Sequence, residues 1–296
     1  MITRQEYHLL RKHYIFNTAK LSLGDSIVIQ KVKRFGETEL KLLFELEQRK
    51  NFIFTIEDAK SILGGSAASV WNVIKRLKKK KRIIRLQKGT YLFAPLKSGE
   101  EGLWSENAFI VVPYLVGTGR YYIGFLSAMN YWGMTEQVPQ TVYVALDRQK
   151  RPLEAVQTRF VFVKKPKLGD ITRIEIQNVK VNIASKEQAI IDGLLFPQYC
   201  LGIDETAKAI HSSKGELDWE KLIAIAKKEK SIVRRRLGYL LDALGLKQNA
   251  KKLEEKFVGF NWLDPRYPKR ALSYSKKWGL KINVAESDLL GFMRGY

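Results

Sequence analysis

The chain has 296 residues, 45% of them apolar, and its 52 Lys and Arg outnumber its 30 Asp and Glu to give a net charge of +22. That length and apolar share fit two packed domains and exclude a chain disordered throughout. One cysteine, Cys200, and three histidines, His8, His13 and His211, exclude an intrachain disulfide framework, a cysteine-rich zinc site and a histidine metal cluster.

A compact protein this basic repels itself unless an anion offsets the charge, and nucleic acid is the first candidate; a membrane surface or ribosomal RNA is the alternative. The excess is densest early: residues 1–100 carry 21 basic and 9 acidic residues, a net +12, and the other 196 carry 31 and 21, a net +10. No early apolar run suits a signal peptide, and the longest uncharged stretch, Tyr121–Thr135, is too short to span a bilayer. A soluble, cytoplasmic protein without a membrane partner is expected.

In chain order, residues 1–34 read as a helix over roughly 3–18 and a polar connector, and 35–95 as a compact unit. In that unit Gly36 precedes ETELKLLFELEQR, where Leu40, Leu43 and Phe44 share a helical face. Thr55 caps a second helix, with Asp58 closing a capping box and Gly64-Gly65 stopping it. Ser66 caps a third helix over 67–81. Val70, Ile74 and Leu77, flanked by Ala67 and Val73, form its apolar side, and Ala68, Ser69, Asn72, Lys75, Arg76 and Lys79 form the opposite one. Ile83–Leu86 and Thr90–Phe93 then read as a hairpin turning at Lys88-Gly89. Helix, helix-turn-helix and hairpin in that order make a winged helix-turn-helix.

The third helix fits the major groove on its polar side. The expected DNA-binding residues are Ser66, Ser69, Asn72, Lys75, Arg76, Lys79, Arg82 and Lys88. Asn72 suits adenine and Arg76 guanine, and Lys75, Lys79, Arg82 and Lys88 suit phosphates. Tyr91 and Trp71 are expected to pack rather than bind. A charge run on a helix is also what a merely solvated face looks like, and lysines near a helix C-terminus favour its dipole in any case.

Residues 96–102 read as a linker and 103–296 as a larger mixed α/β domain, so the fold class is α+β. Tyr121–Gly133 reads as a helix; 141–147, 158–164, 171–177 and 179–185 read as strands, with a turn at Asn178. Ser185 and Gln188 suggest a capping box before KEQAIIDGLL, with Asp192 on the helix surface. Asp218 and Ser231 are expected caps of two further helices, 247–257 another helix, and Lys281–Val284 a late strand. No phosphate loop, GxSxG or HExxH occurs, so no catalytic residue, metal or cofactor is expected and the protein reads as a non-enzyme. Asp170, Glu175 and Gln177 are the acidic string that a metal-dependent nuclease, the alternative reading, would use. Arg234, Arg235 and Arg236 are possible partner-binding residues.

Over most of its length the sequence resembles the AbiEi-type antitoxins of abortive-infection toxin–antitoxin systems. The resemblance rests on the winged helix (35–95), YYIGFLSAMNYWGMTEQVP (121–139), SKEQAIIDGL (185–194), RRRLGYLLDALG (234–245), WLDPRYP (262–268) and KWGLKINV (277–284), in that order. Trp132 stands where family members often carry a histidine, and residues 1–34 are longer than the family pattern. The resemblance implies a transcriptional repressor that autoregulates its operon on promoter inverted repeats, as a monomer or weak dimer. It also implies a cognate nucleotidyltransferase-like toxin neutralised through residues 103–296. Composition alone allows a nonspecific RNA-binding protein instead.

Overall fold

The computed structural model describes residues 35–49, 52–94 and 107–293. The expected N-terminal helix and the linker lie outside them. The chain divides into two compact units, Met1–Leu103 and Trp104–Tyr296.

The first unit is built from α1 (Glu37–Gln48), β1 (Ile53–Thr55), α2 (Ile56–Leu63), α3 (Ala67–Lys79), β2 (Ile83–Gln87) and β3 (Thr90–Phe93). Thr55 and Asp58 form the expected capping box, Thr55 Oγ1 accepting from the Asp58 N–H (3.1 Å) and Asp58 Oδ2 from the Thr55 N–H (2.7 Å). Gly64 and Gly65, at φ 68° and 80°, make the turn that only glycine enters without strain. Ser66 caps α3, its Oγ accepting from the Ser69 N–H at 3.2 Å. The helix ends at Lys79, two residues early, and Lys81 has a positive φ. The buried side of α1 is Glu39, Leu42, Leu43 and Leu46, with Leu40 and Phe44 only partly covered. These leucines pack with Phe54, Ala59, Val70, Ile74, Leu77, Tyr91 and Phe93 into one core.

The hairpin is not alone. β1, a strand the apolar pattern did not announce, pairs antiparallel with β3, so the sheet order is β1-β3-β2. Three residues are too few to show a period of two. The added strand buries all of β3 and bases the wing on the core. Tyr91 is buried as expected, whereas Trp71 is about half exposed and rests edge-on against it with ring centroids 6.4 Å apart.

The second unit carries a six-stranded mixed sheet, order β6-β7-β5-β4-β9-β8, from β4 (Tyr121–Ile123), β5 (Thr141–Leu146), β6 (Leu153–Ala155), β7 (Thr158–Lys164), β8 (Ile171–Ile176) and β9 (Val179–Ala184). Its first helices are α4 (Val112–Val116) and α5 (Phe125–Tyr131). The helix expected over 121–133 is therefore a strand, then Gly124, then α5. Tyr121–Ile123 spends its hydrogen bonds on β5 and β9 instead of on a first helical turn. Trp132 ends α5 and donates its indole N–H to the Ala184 carbonyl at 2.8 Å, which ties α5 to β9. Gln177 and Asn178 both adopt positive φ, as a two-residue β8–β9 hairpin requires.

The remaining helices are α6 (Lys186–Leu195), α7 (Ile203–Ser213), α8 (Trp219–Lys228), α9 (Ser231–Ala243) and α10 (Lys247–Lys251). α6 is buried from Glu187 to Leu194. Asp192 is thus fully buried, contrary to its surface reading, because α5, α7, α8 and α9 surround the helix. Ser185 and Asp218 cap as expected, but Ser231 opens α9 without capping it and α10 is half the expected length. A second sheet, order β10-β12-β11, is formed by β10 (Asn261–Trp262), β11 (Ser273–Ser275) and β12 (Leu280–Ile282), and α11 (Glu286–Leu290) follows.

Candidate nucleic-acid interface

The two-sidedness of α3 is the origin of the candidate interface. Val70, Val73, Ile74 and Leu77 are buried in the core of the first unit, which turns Ser69, Asn72, Lys75, Arg76 and Lys79 to solvent. From Ser69 to Lys79 the face runs about 15 Å along the helix axis. No acidic residue occupies the first turn of α3, so nothing there opposes a phosphate. The Ser66 and Ser69 hydroxyls hold the helix start, Ser69 Oγ donating to the Ser66 carbonyl at 2.7 Å. Lys88 is exposed at the tip of the β2–β3 turn beside Gly89, whose φ is 77°.

Two of the expected residues behave differently from a free basic face. Arg82 is buried to 4% exposure under Phe35, its guanidinium 5.6 Å from the ring centroid, and cannot reach a phosphate. It follows the end of α3, where its N–H bonds to the Leu77 carbonyl (2.9 Å) and the chain turns inward to enter β2. Arg76 keeps about half of its side chain exposed, but its Nε donates to Glu39 Oε1 at 2.8 Å. Glu39 was not singled out from sequence, where it looks like one more charge on an amphipathic helix. It is buried, and its other oxygen accepts from Lys80 Nζ (2.5 Å) and from the Gly36 N–H (2.8 Å). Burial pushes its carboxyl pKa up, but the bonds from Lys80, Gly36 and Arg76 outweigh this and hold it below the usual carboxylate range. One carboxylate therefore joins the start of α1 to the end of α3.

In the second unit the burial of the candidate residues differs from one to the next. Arg235 and Arg236 are each 5% exposed. Arg235 donates to the carbonyls of Val258 (2.7 Å), Gly259 (2.7 Å) and Gly279 (2.8 Å). Arg236 donates to those of Leu194 (2.5 Å) and Trp262 (3.1 Å), and burial lowers its pKa to about 10 against the opposing charge of Asp264. Arg234 pairs with Glu255 at 3.1 Å and donates to the Glu229 carbonyl at 2.9 Å. The triple arginine is a set of clamps holding the C-terminal segment to α6 and α9, which corrects its reading as a partner site. Asp170 is ion-paired with Lys221 at 2.6 Å. Glu175, five residues further along β8, is exposed on the opposite side of the strand, about 16 Å away, so the two cannot share a metal. Among the described residues no three His, Cys, Asp or Glu side chains converge on a possible metal position. Nor is any described helix long and apolar enough to cross a membrane.

An exposed polar and basic helix seated on a three-stranded winged core is the architecture of winged-helix DNA-binding regulators. The family comparison agrees: residues 41–94 match the model of a family described as transcriptional regulator, AbiEi antitoxin. The matched segment runs from within α1 to the end of the winged core, so the likeness to that family lies in the first unit. Among solved structures, the crystal structure of the RV2827C protein from Mycobacterium tuberculosis is similar in fold, with TM-score 0.65 and 13% identity over 88% of this chain and 96% of that one. The comparison with curated proteins returned no match.

Proposed function

We propose that this protein is a sequence-specific DNA-binding repressor and the antitoxin of a toxin–antitoxin pair. It acts in the cytoplasm without catalysis of its own, autoregulates its operon at promoter inverted repeats, and neutralises a nucleotidyltransferase-like toxin through residues 103–296. The observation that carries the reading is the outward face of α3, where Asn72, Lys75 and Lys79 stand exposed with no side-chain partner among the described residues. Asn72 is assigned to an adenine edge. Arg76 is assigned to guanine through its Nη groups, its Nε being committed to Glu39. Lys75, Lys79 and the wing's Lys88 are assigned to phosphates and Ser66 and Ser69 to the close-approaching helix start.

A gel-shift titration against DNA upstream of its own gene and a scrambled duplex, at two salt concentrations, tests this. A hundredfold preference for the upstream DNA is expected; equal, steeply salt-sensitive binding to both would reduce the face to nonspecific electrostatics and overturn the repressor. Asn72→Ala and Arg76→Ala should each cost about 1–3 kcal/mol on the specific site and relax its sequence preference. Lys88→Ala should weaken all duplexes alike and reduce the salt slope by about 1. An Asn72→Ala variant that still discriminates fully would place the base-reading surface elsewhere.

A further inference from the structure

The small sheet β10-β12-β11 carries a surface that the DNA reading does not use. Trp262 and Tyr274 are the two cross-strand partners of Lys281, so all three side chains stand on one face. Lys281 Nζ lies 5.2 Å from the Trp262 ring centroid. Phe260, two residues before Trp262, lies with its ring centroid 5.5 Å from that of Tyr274 at 86°. The opposite face is core: Leu280 and Ile282 are buried. Phe260 is 45% and Tyr274 59% exposed, and Val258 and Leu272 beside them in sequence are more exposed still. Burying large aromatics is the ordinary outcome of folding, so an exposed group of them marks a binding surface.

The charges near it in sequence identify the chemistry. Lys256, Lys269, Arg270 and Lys276 are exposed and have no acidic partner among the described residues. Asp264, the sole acidic residue between Lys256 and Lys281, is buried and bonded to Arg266. Aromatic faces among unpaired cations suit neither an acid-poor apolar protein surface nor duplex DNA, whose bases are already stacked. They suit a strand whose bases are free and whose phosphates run alongside. Unpaired bases are the ordinary state of RNA loops and ends, and aromatic sheet faces take them by stacking.

We propose that the β10-β12-β11 face binds single-stranded RNA, stacking bases on Phe260 and Tyr274 and placing phosphates on Lys281 and the neighbouring cations. This is independent of the repressor reading. The test is fluorescence anisotropy of the full chain with a labelled 12-nucleotide oligouridylate, with oligothymidylate in parallel. Binding that weakens at least tenfold in Phe260→Ala/Tyr274→Ala, with an unchanged thermal transition, and that persists in Lys75→Ala/Lys88→Ala, is the expected result. Absent binding, binding indifferent to the two aromatics, or tighter binding of oligothymidylate overturns the proposal. So does a double variant that instead converts a dimer to a monomer in sedimentation, which would make the face a contact between copies of the chain.

Discussion

Asp192→Ala lowers the stability of the second unit by about 3–5 kcal/mol. Asp192 is fully buried in α6, and its carboxylate is bonded by Lys165, Tyr122 and Gln188. Lys165 Nζ donates to Oδ1 at 2.6 Å and to the Tyr122 hydroxyl oxygen at 2.7 Å. The Tyr122 hydroxyl donates back to the carboxylate at 2.9 Å, and Gln188 Nε2 donates at 2.9 Å. Burial, and after it the charge of Asp192, pushes the Tyr122 phenol well above its ordinary pKa, so it stays a donor. Removing the carboxylate leaves an ammonium 4% exposed with no counter-charge, the costly half of a buried ion pair. Lys165→Met/Asp192→Leu removes both charges and recovers most of the loss. Urea unfolding of the wild type and the two variants decides it: a loss under about 1 kcal/mol in Asp192→Ala would mean that the pair is screened by water. Gly124 belongs to the same site, since a Cβ there would lie 2.6 Å from the Tyr122 ring and 3.0 Å from Asp192 Oδ2.

Glu39→Gln lowers the stability of the first unit by about 2 kcal/mol at pH 7, less than a fully buried pair would lose because Arg76 is half solvated. The loss depends on pH with a definite sign. The folded pKa of Glu39 lies below its unfolded value, so its contribution is complete above the unfolded carboxylate range, about 4.3, and is lost as pH falls through the lower folded value. Wild type and Glu39→Gln should therefore differ at pH 7 and converge in acid. Thermal melts at both ends of that range check this, and a difference that persists undiminished at pH 2 would contradict it. The same variant releases Arg76 Nε, so its effect on DNA binding separates holding the helix from holding the guanidinium.

Much of the first unit was legible because its signals are local. Thr55, Asp58, Gly64-Gly65 and Ser66 act within one or two turns of where they stand, and the spacing of Val70, Ile74 and Leu77 states which side of α3 is inside. The outward residues Ser69, Asn72, Lys75 and Lys79 follow from that by elimination. In the second unit the alternating strands and the Asn178 turn were equally open to reading, whereas the β6–β7 turn was not, since it puts Val156 at positive φ, where a β-branched residue gives no signal.

What the sequence determined by itself is therefore the sidedness of its elements: two units, a basic winged helix in the first, and strands and capped helices in the second. What only the tertiary structure decided is the fate of individual charges. Arg76, Arg82, Arg235 and Arg236 look alike in the sequence, yet one is half held by Glu39, one lies under Phe35 and two are spent on backbone carbonyls. Asp192 and Glu39 look like surface acids and are buried. The reason is physical: a helical period is set by neighbours three and four residues away, but the partner that makes a buried charge affordable comes from a distant part of the chain. Lys165 stands 27 residues from Asp192, and Arg76 stands 37 from Glu39.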